Sequence, residues 1–197
     1  MKKVSINNIS KIFIILSGYV STLNAAVLFN NRLAWELGVN QAIFVEKFDT
    51  DIPAADMLVF NDGTIALGEN PIGNTTNDVL SGLWRTQLYN VGGSNGYSKI
   101  IIDLPNPVTT FGIDINSISS SRGVKISGNW DGGGVQITDL WSHFGNFSNG
   151  FFGVIGSQPF NQVIIQAQGG SVVGSDFITA DNLSYEDVDL IFINDFE

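Results

Sequence analysis

From Ala42 onward the chain alternates apolar and polar residues with a period of two, in runs too short for helices. The plainest is Thr110–Asn116, with Phe111, Ile113 and Ile115 on one side and Gly112, Asp114 and Asn116 on the other. Successive side chains of a strand point to opposite faces, so this spacing specifies a strand with one buried face. Ser98–Leu104 repeats it with Ile100, Ile102 and Leu104. Further strands are expected at Ala42–Phe48, Met57–Phe60, Thr64–Leu67, Gly82–Leu88, Val124–Ser127 and Val135–Thr138. The remainder are Phe151–Ile155, Asn161–Gln168, Asp176–Ile178 and Asn182–Tyr185. Between them stand Asn61-Asp62-Gly63, Gly92-Gly93-Ser94-Asn95-Gly96, Gly132-Gly133-Gly134 and Gly169-Gly170, residues that supply the positive φ of tight turns. One short helix is expected over Asn30–Gly38, capped by Asn30 or Asn31 and ended by Gly38. Leu33 and Leu37 share one of its faces while Trp35 points elsewhere. Many short strands, one N-terminal helix and no internal repeat predict an all-β chain. The expected architecture is a two-sheet, jelly-roll-like antiparallel β-sandwich over residues 26–185.

Such a sandwich needs core material. The 197 residues are 44% hydrophobic and include 14 Phe and 4 Trp, enough to bury an interior without covalent staples. No Cys is present, which excludes a disulfide frame, a thiolate zinc site and a Cys nucleophile. The single His, His143, excludes a metal cluster that needs two. Residues 1–25 read as a secretory leader. Lys2, Lys3 and Lys11 give a positive start, Ile12 to Val20 a short apolar stretch, and Leu23-Asn24-Ala25 a small residue suited to cleavage. That stretch falls short of the roughly 20 residues that span a bilayer, so the mature chain is expected to be secreted or surface-bound without a membrane span. The leader carries three of the nine basic residues and none of the nineteen acids, so its loss takes the net charge from −10 to −13. A surface of that sign repels polyanions and argues against a nucleic-acid partner.

Several phrases resemble secreted bacterial β-sandwich domains often found in proteins that carry a Pro-Glu-Pro sorting tail. They are Thr109-Thr110-Phe111-Gly112-Ile113-Asp114-Ile115, Gly150-Phe151-Phe152-Gly153-Val154-Ile155, Pro159-Phe160-Asn161-Gln162-Val163 and Asp181-Asn182-Leu183-Ser184-Tyr185. Asn31-Arg32-Leu33-Ala34-Trp35 and Glu46-Lys47-Phe48-Asp49 are similar to phrases near the start of those domains. The resemblance spans Asn31 to Tyr185 and implies a jelly-roll-like sandwich in an exported protein. The sorting tail itself is absent. Residues 186–197 form an acidic tail whose Ile191-Phe192-Ile193-Asn194-Asp195-Phe196-Glu197 resembles an "I-F-x-D/N-G-F-E" ending of exported Gram-negative proteins, with Asp195 in place of Gly. That ending reads either as a tail recognised by export machinery or as a last edge strand.

Three sets of residues bear on chemistry. Trp130 and Trp141 flank Asp131-Gly132-Gly133-Gly134, and an exposed ring beside amides and carboxylates holds a sugar by stacking. Trp130, Trp141, Asn129 and Asp131 are therefore the expected glycan-binding residues, the alternative being that the rings pack in the core. Glu46, Asp49 and Asp181 are the expected ligands of a structural Ca²⁺, because a jelly roll lays its first strand beside its last and Ca²⁺ takes carboxylate oxygens. The alternative is solvated edge charge. Gly92-Gly93-Ser94-Asn95-Gly96 spells a nucleophile elbow, but the strand-then-helix context of an elbow is missing and a flexible hairpin loop fits better. The expectation is a non-catalytic, exported sandwich that binds glycan or other extracellular surface material. A structural or adhesive component without a small ligand is the alternative, and a glycan-degrading enzyme built on Glu46 and Asp49 a weaker one.

Overall fold

Three pairs of the expected strands are single long strands that bend. The structure, a computed structural model, describes residues 25–69, 77–90, 98–118, 123–167 and 174–187. Residues 1–24 of the leader, the Ser94 loop and most of the acidic tail lie outside the described residues. In chain order the elements are β1 (Val27–Phe29), α1 (Arg32–Gly38), β2 (Ile43–Glu46), β3 (Met57–Val59), β4 (Ile65–Glu69), β5 (Asn77–Leu80) and β6 (Leu83–Asn90). There follow β7 (Lys99–Ile118), β8 (Val124–Gly128), β9 (Gln136–Asp139), the single turn α2 (Leu140–His143), β10 (Gly150–Ala167) and β11 (Gly174–Glu186). Every strand pair is antiparallel.

The 20-residue β7 and 18-residue β10 belong to two sheets at once. The first half of β7, with the second half of β10, pairs into a sheet that runs β3-β4-β7-β10-β8-β9. The second half of β7 pairs with β11, and the first half of β10 carries β1, in a sheet completed by β6 and β5. Strand β2 extends the far end of β11. The crossing points hold Pro105 and Pro107 in β7 and Pro159 in β10, and the register of β10 shifts between Ile155 and Gln162. Proline removes a ladder donor and bulges turn a strand, which is how one strand leaves one sheet for the other.

The inward phase is the one the alternation specified. Ile100, Ile102, Phe111 and Ile113 are fully buried, and Val163, Ile165, Val124 and Ile126 on the adjoining strands β10 and β8 belong to the same core. Phe48, Phe60 and Trp84 join the sheets edge to face, with ring centroids 5.1 Å apart for Phe48–Phe60 and 6.0 Å for Phe60–Trp84. These observations establish an all-β, jelly-roll-like antiparallel sandwich.

Helix α1 docks on the outside of the second sheet by its Trp, not by its Leu pair. Asn31 caps it, its side chain accepting from the Ala34 amide at 3.0 Å. Leu33 and Leu37 are exposed, whereas Trp35 is fully buried and donates to the Val154 carbonyl at 3.1 Å. Its ring sits over the paired Gly112 and Gly153, where an added Cβ would come within 3.1 Å and 2.8 Å of the indole. Arg32 fastens the same helix, donating to both carboxylate oxygens of Asp114 and, at 2.7 Å, to the Asn182 carbonyl, while its guanidinium lies 4.7 Å over the Phe151 ring. No helix among the described residues is long and apolar enough to cross a membrane.

Candidate functional site

The expected sugar platform does not form around Trp130. Its ring is 1% exposed, wedged against Phe160 at 4.7 Å and Phe152 at 6.2 Å. A sugar needs an open ring face, so this residue is core. The signal was in the sequence: Val124, Ile126 and Gly128 carry the inward phase of β8, and residue 130 continues it. Asp131 is turned to the N-terminal segment, its Oδ1 accepting from the Ala26 amide at 2.6 Å. Asn129 is exposed but holds the β8–β9 loop, accepting from the Gly134 amide at 3.1 Å. It borders a hollow of about 190 Å³ whose aromatic member, Phe160, is buried. Trp141 is half-buried on α2. His143 is half-buried too and meets the Phe29 carbonyl at 3.0 Å, tying α2 to β1.

The expected strand Ala42–Phe48 does lie beside the last, although β1 precedes it and pairs with β10: Glu46 on β2 is level with Leu183 on β11. The Glu46 side chain, however, turns inward and accepts from the Phe48 amide at 2.7 Å. Among the described residues no three His, Asp or Glu side chains gather in an arrangement that would hold a metal ion. Burial pushes the Asp181 carboxyl above its ordinary range. The Asn182 amide opposes that shift, and the negative charges of Asp114 and Asp49 add to it. Because its folded value is raised, its contribution is fully present below the unfolded value near 4 and is lost as pH rises through the folded one. Asp181→Asn keeps an acceptor for the Asn182 amide without the charge. It is expected to raise the melting temperature at pH 7 by roughly 1–2 °C, a gain that vanishes near pH 3. Calorimetry at the two pH values checks this, and an unchanged or lowered Tm at pH 7 counts against it.

A concavity lies at the C-terminal end of β11. A cleft of about 220 Å³ opens between β2, the bend of β7, the β3–β4 turn and the last residues of β11. Phe44 forms one wall, half-buried, its ring tilted 33° on that of Tyr185 at 5.2 Å. Asp62, Glu186, Asp187 and the exposed Asn106 supply polar groups. Two of the carboxylates are held in place. Asp62 accepts from the amide and hydroxyl of Thr64, at 3.0 Å and 2.6 Å, and Glu186 from those of Thr109, at 2.5 Å and 2.7 Å. Tyr185 donates its phenolic hydrogen to Asp62. Burial, with that acceptor, pushes the Tyr185 hydroxyl far above its usual range, so it stays protonated as a donor. A carboxylate has about four acceptor positions, so half-buried Asp62 keeps one beyond these three contacts, whereas Glu186 is buried.

Sequence reasoning missed this cleft. Its residues come from four distant segments, and Asp62 was visible only as part of a turn.

No protein-family model matches the chain, and no curated protein matches it. Among solved structures the chain is similar to a carbohydrate-binding module of family 29, with 16% identity and a TM-score of 0.46 over 79% of this chain and 99% of that one. A variant of such a module gives 14% identity and a TM-score of 0.45 over 81% and 100%. Another, described as complexed with mannohexaose, gives 15% and 0.42 over 75% and 92%. These identities carry no residue-by-residue correspondence to this chain.

Proposed function

We propose that this is a non-catalytic, exported β-sandwich that binds a neutral glycan through the cleft at Phe44. The observation that carries the reading is the pairing, in one open cleft, of a partly exposed aromatic ring with fixed carboxylates. A ring offers the C–H face of a sugar a stacking surface, and oriented acceptors select its hydroxyls. The three acids lining the cleft, in a chain of net charge −10, disfavour anionic polymers. Phe44→Ala is expected to lower retention on a binding neutral polysaccharide at least tenfold in affinity electrophoresis, with the Tm close to that of the parent; loss of about 1.4 kcal/mol suffices for that factor. Equal retention of parent and variant overturns the site, and no retention of the parent on mannan, glucan or xylan overturns the glycan reading.

A structural or adhesive role is the second reading, favoured by an apolar row across the outer face of the first sheet. Met57, Leu67, Ile101 and Ile164 lie in register there, followed by Ser127 on β8 and then Ile137, with Met57 and Ile137 54% and 59% exposed. Calcium is a separate arm of the same experiment. A parent that melts higher in Ca²⁺ than in chelator, with the difference lost in Asp49→Asn and Asp181→Asn, supports a structural ion, and equal melting sets it aside.

A further inference from the structure

We propose that the exported chain is cut between Ala25 and Ala26 and that the α-ammonium released at Ala26 is captured by the Asp131 carboxylate. The residues on either side of that bond differ sharply. Ala25 is exposed, whereas Ala26 packs against the core and Val27 opens β1 opposite Ile155. The Ala26 nitrogen lies 2.6 Å from Asp131 Oδ1, which is also 3.5 Å from the Ser157 hydroxyl. In the uncut chain that nitrogen is an amide with one hydrogen. Hydrolysis by a leader-cleaving protease adds water across the Ala25–Ala26 bond: the carbon–nitrogen bond breaks, Ala25 keeps a carboxylate, and the amine on Ala26 takes up a proton. A neutral contact becomes an ion pair with the same geometry, and charge-assisted hydrogen bonds are roughly twice as strong as neutral ones. A cut one residue earlier leaves the nitrogen an amide, and a cut one residue later removes it. The carboxylate therefore distinguishes a correctly processed chain from its neighbours, whether or not the Phe44 cleft binds sugar.

The pair also sets a pH dependence. An α-amine ordinarily titrates near 8, and a carboxylate partner raises that value in the folded chain. Its stabilisation is present below about pH 8 and is lost as pH rises through the folded value. The charged groups on the elements packed against β1 are, among the described residues, Asp131, His143 on α2 and the Arg32–Glu36 pair on α1, while β10 presents only Gly153, Val154 and Ile155 opposite it. Apart from Asp131, the partner itself, those groups stand in the same places in cut and uncut chains, so the comparison isolates the pair.

The full 197-residue chain is expressed in an exporting bacterium and the purified product weighed intact. A mass beginning at Ala26 is expected, and any other first residue overturns the proposal. The chain beginning at Ala26 is then melted beside one that carries Gly-Ser before it. The free amine is expected to melt about 2–4 °C higher near pH 6.5, with the gap closing near pH 9.5. Asp131→Asn must abolish the gap, and Nα-acetylation of the Ala26 chain must do the same should that variant fail to fold. No gap at pH 6.5, or one that survives either change, overturns the capture.

Discussion

Gly128→Ala lowers the melting temperature by roughly 6–12 °C, the expected consequence of an overpacking cost of about 3 kcal/mol. A Cβ at this position of β8 would stand 2.2 Å and 2.3 Å from two atoms of the Trp130 ring, where real Cβ contacts do not occur. Flexible side-chain ends can yield to such a contact, but this ring cannot. It is 1% exposed and wedged between Phe152 and Phe160, so any shift must either push those rings or open a void beside them. Gly133→Ala is the control, since nothing lies within 4 Å of a Cβ there, and it should change stability by less than about 0.5 kcal/mol. Thermal melts of the two variants separate Trp130 as a core wedge from Trp130 as an open platform. A harmless Gly128→Ala would mean that the ring swings freely, and the platform reading would return.

The same residue shows where sequence reasoning stops. The parity of Phe111, Ile113 and Ile115, or of Ile100, Ile102 and Leu104, was enough to orient β7, because a buried face and an exposed face leave opposite marks on alternate residues. Trp130 obeyed that rule as well, but the neighbouring triple Gly suggested a loop tip, and composition overrode phase. Strands β1 and β5 went unseen for another reason. With three and four residues they are too short to show a period, and Asn77 and Asp78 do not look like strand residues until their partners are known. Pro105, Pro107 and Pro159 fall in the gaps between expected strands. Here they mark the places where a strand changes sheets. In β11 an irregularity without proline separates the two expected strands: the register shifts between Asp181 and Ser184, and Asn182 takes a positive φ of 47°.

Binding residues were less legible still. The cleft assembles Phe44, Asp62, Asn106 and Tyr185 across up to about 140 positions of sequence, and no local pattern encodes that meeting. Asp131 illustrates the converse. Its neighbours in the sequence point to a glycan-binding role, whereas in the structure its partner is a backbone nitrogen more than a hundred residues away.

Trp84→Ala is expected to cost about 3–5 kcal/mol, a large part of the 5–15 kcal/mol that holds a typical domain. Two losses combine. The ring, 1% exposed, fills the space between Phe48 and Phe60 where the sheets meet, and its removal leaves a cavity that those stiff rings cannot close. Its Nε1 also donates to Asn77 Oδ1 at 2.5 Å, and Asn77 in turn donates to the Ala66 carbonyl at 3.0 Å, so a buried hydrogen-bond chain runs from β6 through β5 to β4. Trp84→Phe separates the two: it keeps most of the volume but strands a buried amide oxygen, at a cost of about 1–3 kcal/mol. In an Asn77→Ala background that cost should shrink, because no acceptor is left to strand, and a double-mutant cycle by urea unfolding reads the coupling directly. A coupling near zero would mean that volume alone joins the sheets at this point.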